Sequence, residues 1–243
     1  METAIIYGIC SSFSLVIGAL FGLQLHFKQK TIASIMAFGS GVLICALTFG
    51  LIDEAFLHGG FDAVIIGFLF GGVVFILGDY LLWLLGARKH RRKQFIKSQN
   101  DATGPAITLG AILDGIPESI ALGITLYVGR GIGLLMLVAI IISNLPEGIA
   151  SVPGLLKMGF SKAKILGIWL LVGVLLSAIV IMSYLFLHDI SQNNIGLIEA
   201  FAAGAILAML ADSMIPEAYE EGGFSIGLLT LLGFLTAFVI SKI

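Results

Sequence analysis

The chain has 243 residues, 58% hydrophobic and only 12% charged, with a formal net charge of −2. Soluble domains are nearer half apolar and about a quarter charged, so this is the composition of an integral membrane protein. The charge balance offers no basic surface for nucleic acid, and Cys10 and Cys45, both inside apolar segments, read as small hydrophobes rather than a disulfide or metal pair.

The N-terminal METAIIYG has no basic n-region, and the apolar stretch after it is too long for a signal peptide. It reads as a first spanning helix. A span needs about 20 mainly apolar residues. Such runs predict eight spans, at 3–26, 31–55, 61–86, 105–128, 131–156, 163–187, 195–218 and 222–241. Barrel-type alternation is absent, so the fold class is all-α and the whole of 1–243 forms one transmembrane domain.

An even number of spans puts both termini on one side. Lys28 and Lys30, then Arg88, Lys89, Arg91, Arg92, Lys93 and Lys97, then Lys157, Lys162 and Lys164 occupy alternate loops. These are 11 of the 13 Lys and Arg; the opposite side holds Arg130 and Lys242. The positive-inside rule therefore places the basic loop at 87–104 in the cytoplasm and both termini outside it, in a cell-membrane protein.

An internal repeat organises the chain. Residues 37–61 read AFGSGVLICALTFGLIDEAFLHGGF, and residues 200–224 read AFAAGAILAMLADSMIPEAYEEGGF, with ten of 25 positions identical at an offset of 163. The repeat pairs span 2 with 7 and span 3 with 8. A shift of five spans reverses direction, so the copies are inverted, as in many transporters with a midplane site.

Spans 4 and 5 echo each other as well: Asp114-Gly-Ile-Pro-Glu118-Ser against Ser143-Asn144-Leu-Pro-Glu147-Gly. Asp114 and Glu118 are i and i+4 and share a helix face, as do Ser143 and Glu147. Pro117 and Pro146 each free a carbonyl four residues back. Three carboxylates, an amide and hydroxyls thus fall in the middle of apolar helices that carry no Lys, Arg or His at that depth. A charged carboxylate there costs at least a few kcal/mol. Protonation is one answer; a divalent cation held by these oxygens is the other, and it suits three acids on two matching helices better.

At these residues the chain resembles the ZIP (Zrt-, Irt-like) family of divalent-metal transporters, whose fourth and fifth spans typically carry His-Asn-x-Pro-Glu-Gly. The resemblance implies eight spans in a 3+2+3 inverted arrangement and a metal centre between spans 4 and 5. Carried over by position, its ligands are Asp114, Glu118, Ser143 and Glu147, with a neighbouring set of Glu118, Asn144 and Glu147. The family histidines are replaced by Asp114 and Ser143, and Gly115 stands where the family has Asn. An oxygen-rich set shifts the expected substrate from zinc alone towards zinc, manganese or ferrous iron. The resemblance also allows a homodimer.

Asp53, Glu54, His58 and Asp62 cluster at the outer end of spans 2 and 3, where they mark a helix leaving the bilayer or draw cations to an entrance. Asp212 and Glu217, near the inner end of span 7, are candidates for an exit, and Asp53 for an entry. Asp79 beside Tyr80 and Trp83 reads as interfacial. No paired catalytic Asp, Ser/His arrangement or His-Glu-x-x-His is present, so an enzyme is not expected. The expected function is import of a divalent metal as substrate, with no separate cofactor; a non-transporting metal sensor or scaffold is the alternative.

Overall fold

The computed structural model describes residues 1–25, 27–84, 104–129 and 132–242. The predicted basic loop at 87–104 lies outside these apart from Gly104, as does Arg130. Among the described residues the chain is helical and no strand occurs. In order come α1 (Glu2–Gln24), α2 (Gln29–Ala46), a π-helical segment (Leu47–Ile52) and α3 (Asp53–Leu84). Then follow α4 (Gly104–Val128), α5 (Ile132–Lys157), α6 (Lys162–Phe186) and a 3-10 turn (Leu187–Asp189). The chain finishes with α7 (Gln192–Met209), a second π-helical segment (Leu210–Met214), α8 (Ile215–Gly222) and α9 (Ser225–Lys242).

Seven helical stretches among the described residues are long and apolar enough to cross a bilayer. The longest, Gln29–Leu84, has 56 residues. Straight, it would reach about 84 Å, far beyond a hydrocarbon core of roughly 30 Å. It is not straight. Gly60 takes φ 67 and ψ −166, which only glycine adopts without strain, and so divides the stretch into two arms. Large apolar side chains point outward along it and along α6 and α9, including Phe61, Ile65, Leu69, Leu171, Met182, Leu228 and Leu231. In water such a surface would drive aggregation; in lipid it is the solvent-facing side. The chain is a multi-pass membrane protein.

The sequence repeat reappears in the backbone. The two π-helical segments begin at Leu47 and Leu210, and the two kinked glycines are Gly60 and Gly223, the latter at φ 63 and ψ −143. Both pairs are offset by 163, the register of the sequence match. π-helical turns are rare and concentrate at functional sites.

Packing follows the same pairing. α3 lies along α7, and α9 lies along α2, so each copy of the repeat grips the other. Glycines permit this. A Cβ on Gly204 would strike the Phe68 carbonyl oxygen, and one on Gly71 the Phe201 carbonyl oxygen. A Cβ on Gly41 would strike Thr230 O, and one on Gly233 would strike Phe38 O. Lipid gives helices no hydrophobic reason to associate, so close backbone approach through small residues must hold them together. α4 and α5 sit between these pairs: α5 packs against α1 and α2, α4 against α6 and α7, and the two against each other.

Candidate metal site

The paired Pro-Glu motifs fall within α4 and α5. Asp114, Glu118 and Ser119 on α4 are buried, as are Ser143 and Asn144 on α5; Glu147 is half-buried. Pro117 and Pro146 are accommodated inside continuous helices. Each removes one backbone donor and frees a carbonyl, which adds oxygen acceptors beside the carboxylates.

A side-chain hydrogen bond joins the two motifs. Ser143 Oγ donates to Glu118 Oε1 at 2.9 Å, and the same hydroxyl lies 3.0 Å from Ile140 O in its own helix. Sequence places these residues 25 positions apart; the fold brings them into contact across the α4–α5 interface. A hydroxyl paired with a buried carboxyl group gains from the low local dielectric, so this contact links the two helices firmly.

Asn144 turns elsewhere. Its Nδ2 donates to Ser11 O of α1 at 3.2 Å, which fixes the amide and leaves Oδ1 as its acceptor. The reason is the backbone-to-backbone approach of α1 and α5: a Cβ on Gly148 would strike Leu15 O and lie 2.9 Å from Ala19 N. Gly115 faces α6, where a Cβ would lie 2.6 Å from Leu176 Cδ1. A side chain there would therefore meet Leu176 before it could reach a ligand. Among the described residues no three His, Cys, Asp or Glu groups converge into a metal cluster. The structure thus brings Glu118 and Ser143 together, keeps Asp114 on the same helix face and buried, ties Asn144 to α1, and leaves Glu147 part-accessible.

The candidate pathway residues lie at the irregular turns. Asp53 is exposed at the end of the first π-helical segment, and Asp212 is exposed inside the second. Glu217 is half-buried in the first turn of α8. Asp79 is buried, 8% exposed. α4 packs against the neighbouring position of α3, where a Cβ on Gly78 would lie 3.0 Å from Leu113 Cδ1.

Sequence reasoning passed over Glu199, which the structure buries to 1% exposure against His58. The signal available was a lone acid just inside a predicted span.

No known family model matches this chain. Over 185 residues it is 27% identical to a candidate zinc transporter of Arabidopsis thaliana. The matched part is 75% of this chain but only 29% of that protein, so the chain spans under a third of the length of this relative.

Proposed function

We propose that this protein is a divalent transition-metal transporter that carries zinc, manganese or ferrous iron into the cytoplasm. Its eight spans form a 3+2+3 inverted repeat, with α4 and α5 as the central pair. The metal is the substrate, held in transit by Asp114, Glu118 and Glu147, with Ser143 and Asn144 assisting. The supporting observation is the buried bridge from Ser143 to Glu118, which couples two proline-bearing helices at their acidic motifs. Two buried carboxylates one turn apart offer a hard, anionic oxygen site, and a divalent cation supplies the charge these helices lack.

The inverted repeat supports the transport step. Two units related in backbone detail as well as sequence can pack equally well in two opposed tilts around a fixed central pair. The glycine contacts between α2 and α9 and between α3 and α7 tie these helices into close pairs that would tilt as units. The name of the Arabidopsis relative points to zinc; the oxygen-only ligand set extends the range to manganese and ferrous iron.

Uptake of radioactive zinc and manganese into proteoliposomes tests this reading. Flux by the wild type, and loss of flux in Glu147→Ala and Glu118→Gln, would support it. Binding without flux would make the protein a metal sensor instead, and flux unchanged in both variants would remove the central site from the mechanism.

A further inference from the structure

A second polar constellation lies away from the central pair. His58 stands just before the Gly60 kink in α3, and Glu199 lies two turns into α7, 141 residues later. His58 Nδ1 is 2.9 Å from Glu199 Oε2; His58 is 15% exposed and Glu199 1%. With Glu199 ionised, its carboxylate can only accept, so Nδ1 would carry the proton and Nε2 would keep its lone pair while the ring is neutral. Histidines that bind metals take this form. The second ring nitrogen donates to a carboxylate, which fixes the tautomer, orients the ring and raises ligand basicity.

The corner around the pair is stiff. A Cβ on Gly196 would lie 2.6 Å from Ala55 O and 2.8 Å from Gly59 N, and one on Gly59 would lie 3.1 Å from Asn193 O. The helices touch backbone to backbone there, so the imidazole is held on a rigid support. Glu54, 6% exposed, lies one turn before His58, and the exposed Asp53 and Asp62 flank the same corner.

The fold builds this corner twice and equips it once. At the offset of 163, Gly59 and Gly196 correspond to Gly222 and Ala33, while His58 corresponds to Glu221 and Glu199 to Met36. The second corner keeps the small-residue contact, with a Cβ on Gly222 3.7 Å from Ala33 Cβ. It has neither the imidazole nor the buried acid opposite. The His–Glu pair is therefore not required to form the turn.

We infer that His58 is a metal-ligating entry station, with Glu199 as its positioning residue, that captures borderline divalent cations such as zinc before they reach the central site. This rests on the metal-transport reading above, in whose orientation the Gly60 corner faces outward. It gives the entrance a nitrogen ligand that the oxygen-only central set lacks, and nitrogen favours zinc over manganese. Among the described residues no third His, Cys, Asp or Glu closes the shell. With His58 as its one proposed protein ligand, a captured ion would keep waters and bind loosely, as an entry station requires.

Nuclear magnetic resonance of 15N-histidine-labelled protein in lipid nanodiscs, titrated with zinc, tests the inference on the wild type. The chain has only four His, and the His58 signals are identified by their absence from His58→Asn. The expected result is an Nδ1-protonated His58 whose Nε2 resonance moves on zinc addition. Glu199→Gln should weaken that response about 10- to 100-fold. In proteoliposomes, His58→Asn should raise the KM for zinc several-fold more than the KM for manganese, with a smaller effect on the maximal rate. An Nε2 resonance that ignores zinc, or equal KM changes for both metals, would overturn the inference. Failure of the central site reads differently: Glu147→Ala would then transport like the wild type while His58 still responded to zinc.

Discussion

Gly204→Ala examines the packing on which the transport reading depends. A Cβ at this position would strike Phe68 O and lie 2.7 Å from Phe68 C and 2.9 Å from Phe68 Cα. Carbon and oxygen sit about 3.3 Å or more apart even in close helix contacts. The obstructing atoms are backbone, so no side chain can swing aside and α3 must move off α7 by on the order of 1 Å. Such overpacking costs about 1–3 kcal/mol. Alanine regains about 0.5–1 kcal/mol over glycine in a helix interior. The net loss is up to about 2.5 kcal/mol, which at roughly 2–4 °C per kcal/mol for a chain of this length lowers Tm by up to about 10 °C. Thermal unfolding in detergent, followed by the fluorescence of Trp83 and Trp169, reads this shift. Gly41→Ala, the repeat equivalent, meets Thr230 O in the same way and should fall by a similar amount. Gly227→Ala is the control: nothing lies within 4 Å of its Cβ, so it should melt at or above the wild-type temperature. If Gly204→Ala melts together with Gly227→Ala, the close α3–α7 approach is wrong.

Ser143→Ala removes both the hydroxyl held to Glu118 and an oxygen from the proposed ligand set. A hydrogen bond of this kind contributes about 0.5–1.5 kcal/mol, so the zinc KM should rise about two- to tenfold, measured by proteoliposome uptake. Glu118→Gln keeps the shape and removes the charge; flux should drop to the level of empty liposomes. For orientation, single cysteines at positions 62 and 97 in a background lacking Cys10 and Cys45 should react oppositely with a membrane-impermeant maleimide on intact cells. Position 62 should label, and position 97 only after permeabilisation.

The parts of this architecture that sequence revealed are those written in local pattern. The EA and GGF groups of the repeat are identities at one register, and the structure gives their glycines, Gly60 and Gly223, nearly the same left-handed backbone. The Pro-Glu motifs were visible because proline and acids are conspicuous in apolar helices. The hidden parts depend on residues far apart in the chain. Glu199 meets His58 across 141 positions, and Asn144 meets Ser11 across 133, with nothing in either neighbourhood to announce a partner. Tyr80 and Trp83 mark the level of Asp79 in the sequence, but only the fold shows that its side chain is buried. The π-helical segments leave no compositional mark, since one extra residue in a turn changes geometry and not residue type.

The central claim is that a divalent cation binds between α4 and α5 at the two Pro-Glu motifs. The most direct measurement is anomalous scattering from crystals soaked in zinc or manganese, with data collected at the absorption edge of each metal. The account predicts an anomalous peak bounded by Asp114, Glu118 and Glu147, lost in Glu118→Gln. A map with no peak there, from crystals that diffract well and hold the metal elsewhere, would contradict it.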